Sequence, residues 1–296
     1  MDSPEELRAD IPIVLHNATC PYCGVGLNDE IPTKDHVIGR RFVPRGTLDQ
    51  AWNLVVFACG RCNGAKGDLE DDLSALSMQP DGAGHLARDD DSLRTEASRK
   101  AAGSVSRLSG RPVGDSLVTA RVSGSPVPGV TMSFTGRAPP QLSRDRVFDL
   151  AWFQLCGFFY WLTFDPEPKV GGLWVGDYLP RLFSLRGDWG NSRHRAFMTA
   201  VAGWEPWLLA ETAKGFFKVA IRRFPESICW SWALEWNKNV RVIGFCGDRV
   251  PVERVVGTFP DLHETRVAVE GGGELGIRLE CPLPPDEDLL FSRCER

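Results

Sequence analysis

A chain of 296 residues with 43% hydrophobic side chains can bury a sizeable core, and its length predicts two globular domains rather than one. The net charge of −5 excludes a surface that is basic all over, the usual footprint of proteins that grip phosphates, and turns attention to local charge. The longest apolar stretch, residues 150–164, is shorter than the ~20 residues that cross a bilayer and is preceded by Asp145 and Asp149, so a buried helix is expected and no membrane span.

The opening residues MDSPEELRAD are acidic and lack the basic, apolar and small-residue succession of a secretory signal, which predicts a cytoplasmic protein. In that reducing compartment paired cysteines hold a metal more often than a disulfide, and the nine cysteines are an odd count. Cys20-Pro-Tyr-Cys23 and Cys59-Gly-Arg-Cys62 are two C-x-x-C knuckles inside residues 12–78. Each turns two thiolates toward one point, and together they supply the four sulfur ligands of a closed, structural zinc site. A segment of about seventy residues has a thin core, so an ion that binds only its folded form stabilises it substantially. Across residues 33–67, Lys34, Arg40, Arg41, Arg45, Arg61 and Lys66 stand against Asp35 and Asp49, a small basic surface on an acidic protein.

Between the knuckles lie Asp35-His36 in TKDHVIGR and Asn53 in WNLVVFAC; Asn63 and Lys66 follow the last cysteine in CNGAKG. Hydrolysis of a phosphodiester needs a base to activate water, and a neutral imidazole with a pKa near ~6.5 meets that need at physiological pH, which makes His36 the candidate base. Charge building on the phosphate and leaving oxygens calls for a divalent cation on oxygen ligands, for which Asp35 offers a carboxylate and Asn63 an amide oxygen. Lys66 either meets a phosphate as a point charge or closes the helix surface. Taken singly these residues have ordinary readings, a surface His–Asp pair and asparagines that cap or turn the chain. Their joint occurrence inside a zinc-braced segment is the signal.

In this order, over residues 18–70, the segment resembles the HNH endonuclease family: a DH pair on one strand, an NLV segment opening a second, and a C-x-x-C followed by His or Asn on a helix. The resemblance implies a ββα-metal fold, with Asp35 and Asn63 straddling one catalytic cation and Asn53 holding the loop so that His36 points at the attacking water. The third motif position is Asn63 rather than His, the H-N-N variant. A neutral amide is a weak ligand for transition metals, so Mg2+ or Mn2+ is expected there rather than nickel or zinc.

Residues 79–142 are rich in Gly, Ser, Pro, Asp and Arg, with Phe134 as their one aromatic residue, and read as a linker. SLVTARV and VTMSF flank GSPVPG, which predicts a hairpin near residues 116–135. From Arg107 to Arg144 there are five arginines and one acidic residue, Asp115, which suits a solvated connector or a contact with nucleic acid.

Nine of the ten tryptophans follow, predicting a larger, well-packed C-terminal α+β domain over residues 143–296 with an antiparallel sheet. A helix is expected over 144–164, stopped by Asp-Pro-Glu-Pro, and another at SRHRAFMTAV, with strands at FFKVAIRRF, ICWSWALEW, VRVIGF, ETRVAVE and LGIRLEC. Trp230, Trp232, Leu234 and Trp236 alternate with smaller residues, which puts the large side chains on one strand face and favours core packing over a base-stacking platform. His16, His85, His194 and His263 read as ordinary, and Cys156, Cys229, Cys246, Cys281 and Cys294 as buried or incidental thiols.

The expected fold class is therefore α+β: a small N-terminal zinc-braced nuclease domain and a larger C-terminal domain. The expected function is metal-dependent cleavage of DNA, by association as an effector in antiviral defence, with the C-terminal domain recognising a protein partner, a small signal molecule or the target. A zinc-dependent nucleic-acid-binding protein that does not cut, and a ribonuclease using the same site, are the competing readings.

Overall fold

The computed structural model describes residues 11–28, 31–79, 91–127, 129–268 and 274–292; His85, Cys294 and the glycines at 271–273 lie outside the described residues. Three short strands open the chain: β1 (Ile13–Val14) and β2 (Thr33–His36) flank β3 (Leu54–Ala58), β1 parallel to it and β2 antiparallel. β3 is an unbroken apolar run because Leu54, Val55, Val56 and Ala58 are all buried, as a central strand covered on both faces requires. Helix α1 (Gly60–Leu76) follows directly, and Cys62, Lys66, Leu69, Leu73 and Leu76 recur at helical spacing on its inward stripe.

Part of the stretch expected to be a linker is folded. Helix α2 (Asp91–Gly103) packs Leu93 and Ala97 into the core, and Val113 is buried beyond it. The Lys100 ammonium of α2 donates to the Ser74 hydroxyl at 2.6 Å and to the Arg41 carbonyl, tying the helix to α1 and to the loop after β2. A short helix with so few apolar anchors is hidden by the polar composition around it. The expected hairpin is present as β4 (Val118–Val127) and β5 (Val130–Ala138).

Helix α3 (Arg144–Leu162) leads into a five-stranded antiparallel sheet of β6 (Asp177–Leu185), β7 (Glu205–Thr212), β8 (Phe217–Arg223), β9 (Cys229–Trp236) and β10 (Val240–Gly247), in the order β6-β10-β9-β8-β7. The edge strands β6 and β7 escape sequence reading because each contains a proline, Pro180 and Pro206, a residue that edges tolerate and central strands do not. Helices α4 (Ser192–Val201) and α5 (Arg249–Val256) and a hairpin of β11 (Thr265–Ala268) and β12 (Glu274–Ile277) complete the fold.

Both faces of the large sheet are covered. Trp232, Leu234 and Trp236 of β9 pack toward α3, while Cys229 and Ala233 meet Phe197 and Val201 of α4 and Val252 of α5. Alternation along β9 therefore identifies its two faces but leaves neither in solvent. The cluster on the α3 side runs without a break from Leu15 through α1 to Val242, so residues 12–78 and 143–296 share one core. Polar bonds stitch the same boundary: Trp52 Nε1 donates to the Glu211 carbonyl at 2.8 Å, the Thr212 hydroxyl to the Trp52 carbonyl at 2.6 Å, and Asn237 Nδ2 to the Ser77 hydroxyl at 2.8 Å. Among the described residues no helix is long and apolar enough to cross a membrane.

Candidate metal centre and active site

The first knuckle is a tight turn. Cys20 N–H donates to the Val25 carbonyl and Gly24 N–H to the Cys20 carbonyl, both at 2.8 Å, and Gly24 takes a φ of 74° that disfavours any side chain. The second knuckle opens α1, with Cys59 immediately before the helix and Cys62 in its first turn. The four sulfurs lie within 4.8 Å of one another, and those of Cys23 and Cys59 are 3.7 Å apart. That is far beyond the ~2.0 Å of a disulfide and close to the ~3.8 Å edge of a tetrahedron built on ~2.3 Å zinc–sulfur bonds. All four are free thiols, and only Cys23 is exposed.

Burial pushes the Cys20 thiol up and the Cys62 thiol up further, so these groups resist ionising together unless a cation shares the space. Cys23 departs the other way: burial opposes it, but the Val25 N–H and the neighbouring thiols hold its pKa down. Among the described residues, this is the one group of three or more His, Cys, Asp or Glu side chains placed to surround a metal ion. The donor chemistry and the spacing both fit zinc.

The DH pair ends β2. Asp35 is buried, with Oδ2 accepting from the Tyr22 hydroxyl of the first knuckle and Oδ1 accepting from Lys66 Nζ of α1 at 3.2 Å. Lys66 is fully buried and donates as well to the His36 carbonyl at 2.8 Å and to Glu70 at 2.7 Å. Burial works against its charge, but the Glu70 and Asp35 carboxylates more than offset that and hold the ammonium above its usual pKa. Of the two roles expected for Lys66, the exposed phosphate contact does not fit this burial; its ammonium is spent inside the protein, bracing β2 against α1.

Asn53 clamps the loop after β2 with both ends of its amide, Nδ2 donating to the Ile38 carbonyl at 2.7 Å and Oδ1 accepting from Ile38 N–H at 3.3 Å. His36 lies two residues before this clamp and is half-buried, and its imidazole has no hydrogen-bond partner among the described residues. Burial and then the positive charge of Arg40 pull its pKa below the ordinary value, so the ring is neutral at physiological pH.

Asn63 faces the same strand: its Nδ2 donates to the Thr33 hydroxyl at 3.0 Å, and Thr33 lies on the side of β2 that Asp35 uses. Pinned by that bond, Asn63 keeps its amide oxygen uncommitted among the described residues. Lys34, Arg40, Arg41, Arg45 and Arg61 are exposed, and of these Arg40 and Lys34 lie near enough to His36 to act on its charge.

Sequence reasoning missed two members of the site. Tyr22 lies between the first pair of cysteines, and Glu70 stands one helical turn after Lys66; that i, i+4 spacing was the available signal for Glu70. No family model matches the chain, and no curated protein or solved structure matches it.

Proposed function

We propose that the chain is a metal-dependent endonuclease of the HNH type that hydrolyses phosphodiester bonds in DNA, its N-terminal unit braced by a four-cysteine zinc ion. The observation that carries the reading is the meeting of β2 and α1, where Asn63 is bonded to Thr33 on the strand side that Asp35 uses and the strand ends at a neutral His36. Asp35 retains lone pairs beyond those used by Tyr22 and Lys66, and the uncommitted Asn63 oxygen is a second hard donor, a set suited to Mg2+ or Mn2+ that keeps several of its waters. Such a cation, when bound, neutralises charge on the phosphate oxygens. His36 accepts the proton of the attacking water, and Asn53 holds the following loop so that the imidazole keeps its direction. The exposed Arg40 and Lys34 near His36 supply attraction to the DNA backbone on a protein whose overall charge is negative.

The test is nicking of supercoiled plasmid by zinc-loaded protein with Mg2+ or Mn2+. Conversion to open circles is expected for the native chain and its loss in His36→Ala; identical behaviour of the two removes the proposal. A parallel RNA substrate cleaved in place of DNA would reassign the site to a ribonuclease. Action in antiviral defence is part of the same proposal and is tested by phage plating on cells carrying the native or H36A gene.

A further inference from the structure

Away from the cysteines, a cavity of about 680 Å3 opens at the outer edge of the large sheet, bounded by β6, the start of α3 and the β11–β12 hairpin. That size is in the range of sites for nucleotide-scale ligands. β6 reaches it through an irregularity: Ile243 pairs with Leu182 and the next residue, Gly244, with Pro180, so Arg181 is the extra residue of a β-bulge. Bulges on edge strands re-aim one side chain, and here the side chain lines the cavity. The Arg181 Nε is buried and has no hydrogen-bond partner, and no carboxylate among the described residues forms an ion pair with its guanidinium. Burial, with Arg249 adding repulsion, pulls its pKa down, and the more distant Glu253 carboxylate only partly offsets this.

Arg144, the first residue of α3, lines the same cavity with its guanidinium over the Phe148 ring, 5.3 Å from the centroid, and it too forms no ion pair among the described residues. The other charges of the lining are spoken for. Arg278 is paired with Asp188, Arg266 with Glu264 and Glu274, and Arg193 with Asp261, and Glu280 has a partner. Arg181 and Arg144 are therefore the two lining arginines that form no ion pair among the described residues.

We propose that this cavity binds a small phosphate-bearing anion, with the half-buried Arg181 as its anchor and Arg144 as its second contact. The planar guanidinium fork suits paired phosphate oxygens. A nucleic-acid duplex is the poorer occupant: it brings a charge every ~1.7 Å of axis and would meet the carboxylates of Asp188, Glu264, Glu274 and Glu280 as well as the two arginines. The site is independent of the nuclease reading and gives the C-terminal half a ligand of its own.

The test is calorimetric titration of the full-length, zinc-loaded protein with inorganic pyrophosphate and, separately, with adenosine monophosphate, at matched ionic strength. Saturable binding of at least one probe is expected; preference between them tells whether phosphate alone or phosphate with a nucleoside is recognised. Arg181→Gln should weaken the binding at least about tenfold, the loss of one charge-assisted hydrogen bond. Arg144→Gln, at an exposed position that leaves the core intact, should weaken it as well and serves if the first variant fails to fold. Absence of binding by the native protein to both probes, or unchanged affinity in Arg144→Gln, overturns the proposal. His36→Ala should bind the probes as the native chain does, so a failed nuclease assay and a failed titration are separate outcomes.

Discussion

Lys66 is fully buried, and it keeps its charge only because Asp35 and Glu70 lie at 3.2 and 2.7 Å. Removing one partner of a buried ionic set leaves the others uncompensated, so Lys66→Met should cost about 3–5 kcal/mol of stability, measured by urea unfolding. The exposed pair Arg249–Asp177 should by contrast add little, because solvent screens it. Tyr22 joins the first cysteine knuckle to the candidate catalytic carboxylate through one hydroxyl. Tyr22→Phe should keep its zinc, lose about 1–3 kcal/mol from the unsatisfied Asp35 oxygen, and need more Mg2+ for half-maximal nicking; an unchanged Mg2+ dependence would count against that positioning role. At this scale Asp35, His36, Asn53 and Asn63 could be singled out as candidates because their residue types and order are set by the two cysteine pairs, three between the pairs and Asn63 directly after them. Tyr22 and Glu70 were not, since a hydroxyl and a carboxylate acquire these roles only from partners that folding brings to them.

Between elements, one close approach at the site is where α3 crosses the loop after β2. A Cβ built on Gly157 would lie 2.5 Å from Val37 Cγ2, and Val37 directly follows His36. Gly157→Ala should therefore destabilise by about 1–3 kcal/mol, read from urea unfolding, and lower nicking through displacement of that loop. The four-cysteine cluster acts between elements too, joining the knuckle turn to the start of α1. Cys62→Ser should abolish zinc retention, measured by metal analysis of the purified protein, and reduce nicking in a way that added Mg2+ does not restore; a Cys62→Ser protein with native zinc content would contradict the four-sulfur centre. The helices α3 and α4 could be read from apolar periodicity, whereas α2 could not, because its contact with α1 rests on few apolar side chains and on the Lys100 ammonium.

For the molecule as a whole, acid sensitivity is concentrated in part on His194, buried on α4 beside Ser184, whose pKa burial and the nearby Arg241 push down to about 3. The folded protein holds this ring neutral while the unfolded chain takes a proton near pH ~6.5, so its contribution is intact above that pH and is lost as pH falls from there toward 3, by roughly 1.4 kcal/mol per unit. His194→Gln should flatten the decline in urea midpoint between pH 6.5 and 4 relative to the native protein; an equal decline would remove His194 as the cause. The sequence alone determined the cysteine knuckles, the order of the site residues along the chain, the α+β class and the central strands, because each is carried by local spacing or periodicity. Only the tertiary structure decided that Lys66 turns inward, that both faces of the large sheet are covered, and that one core runs through both halves of the chain. The reason is that burial is a property of what packs against a residue from distant sequence, and neither spacing nor composition carries that information.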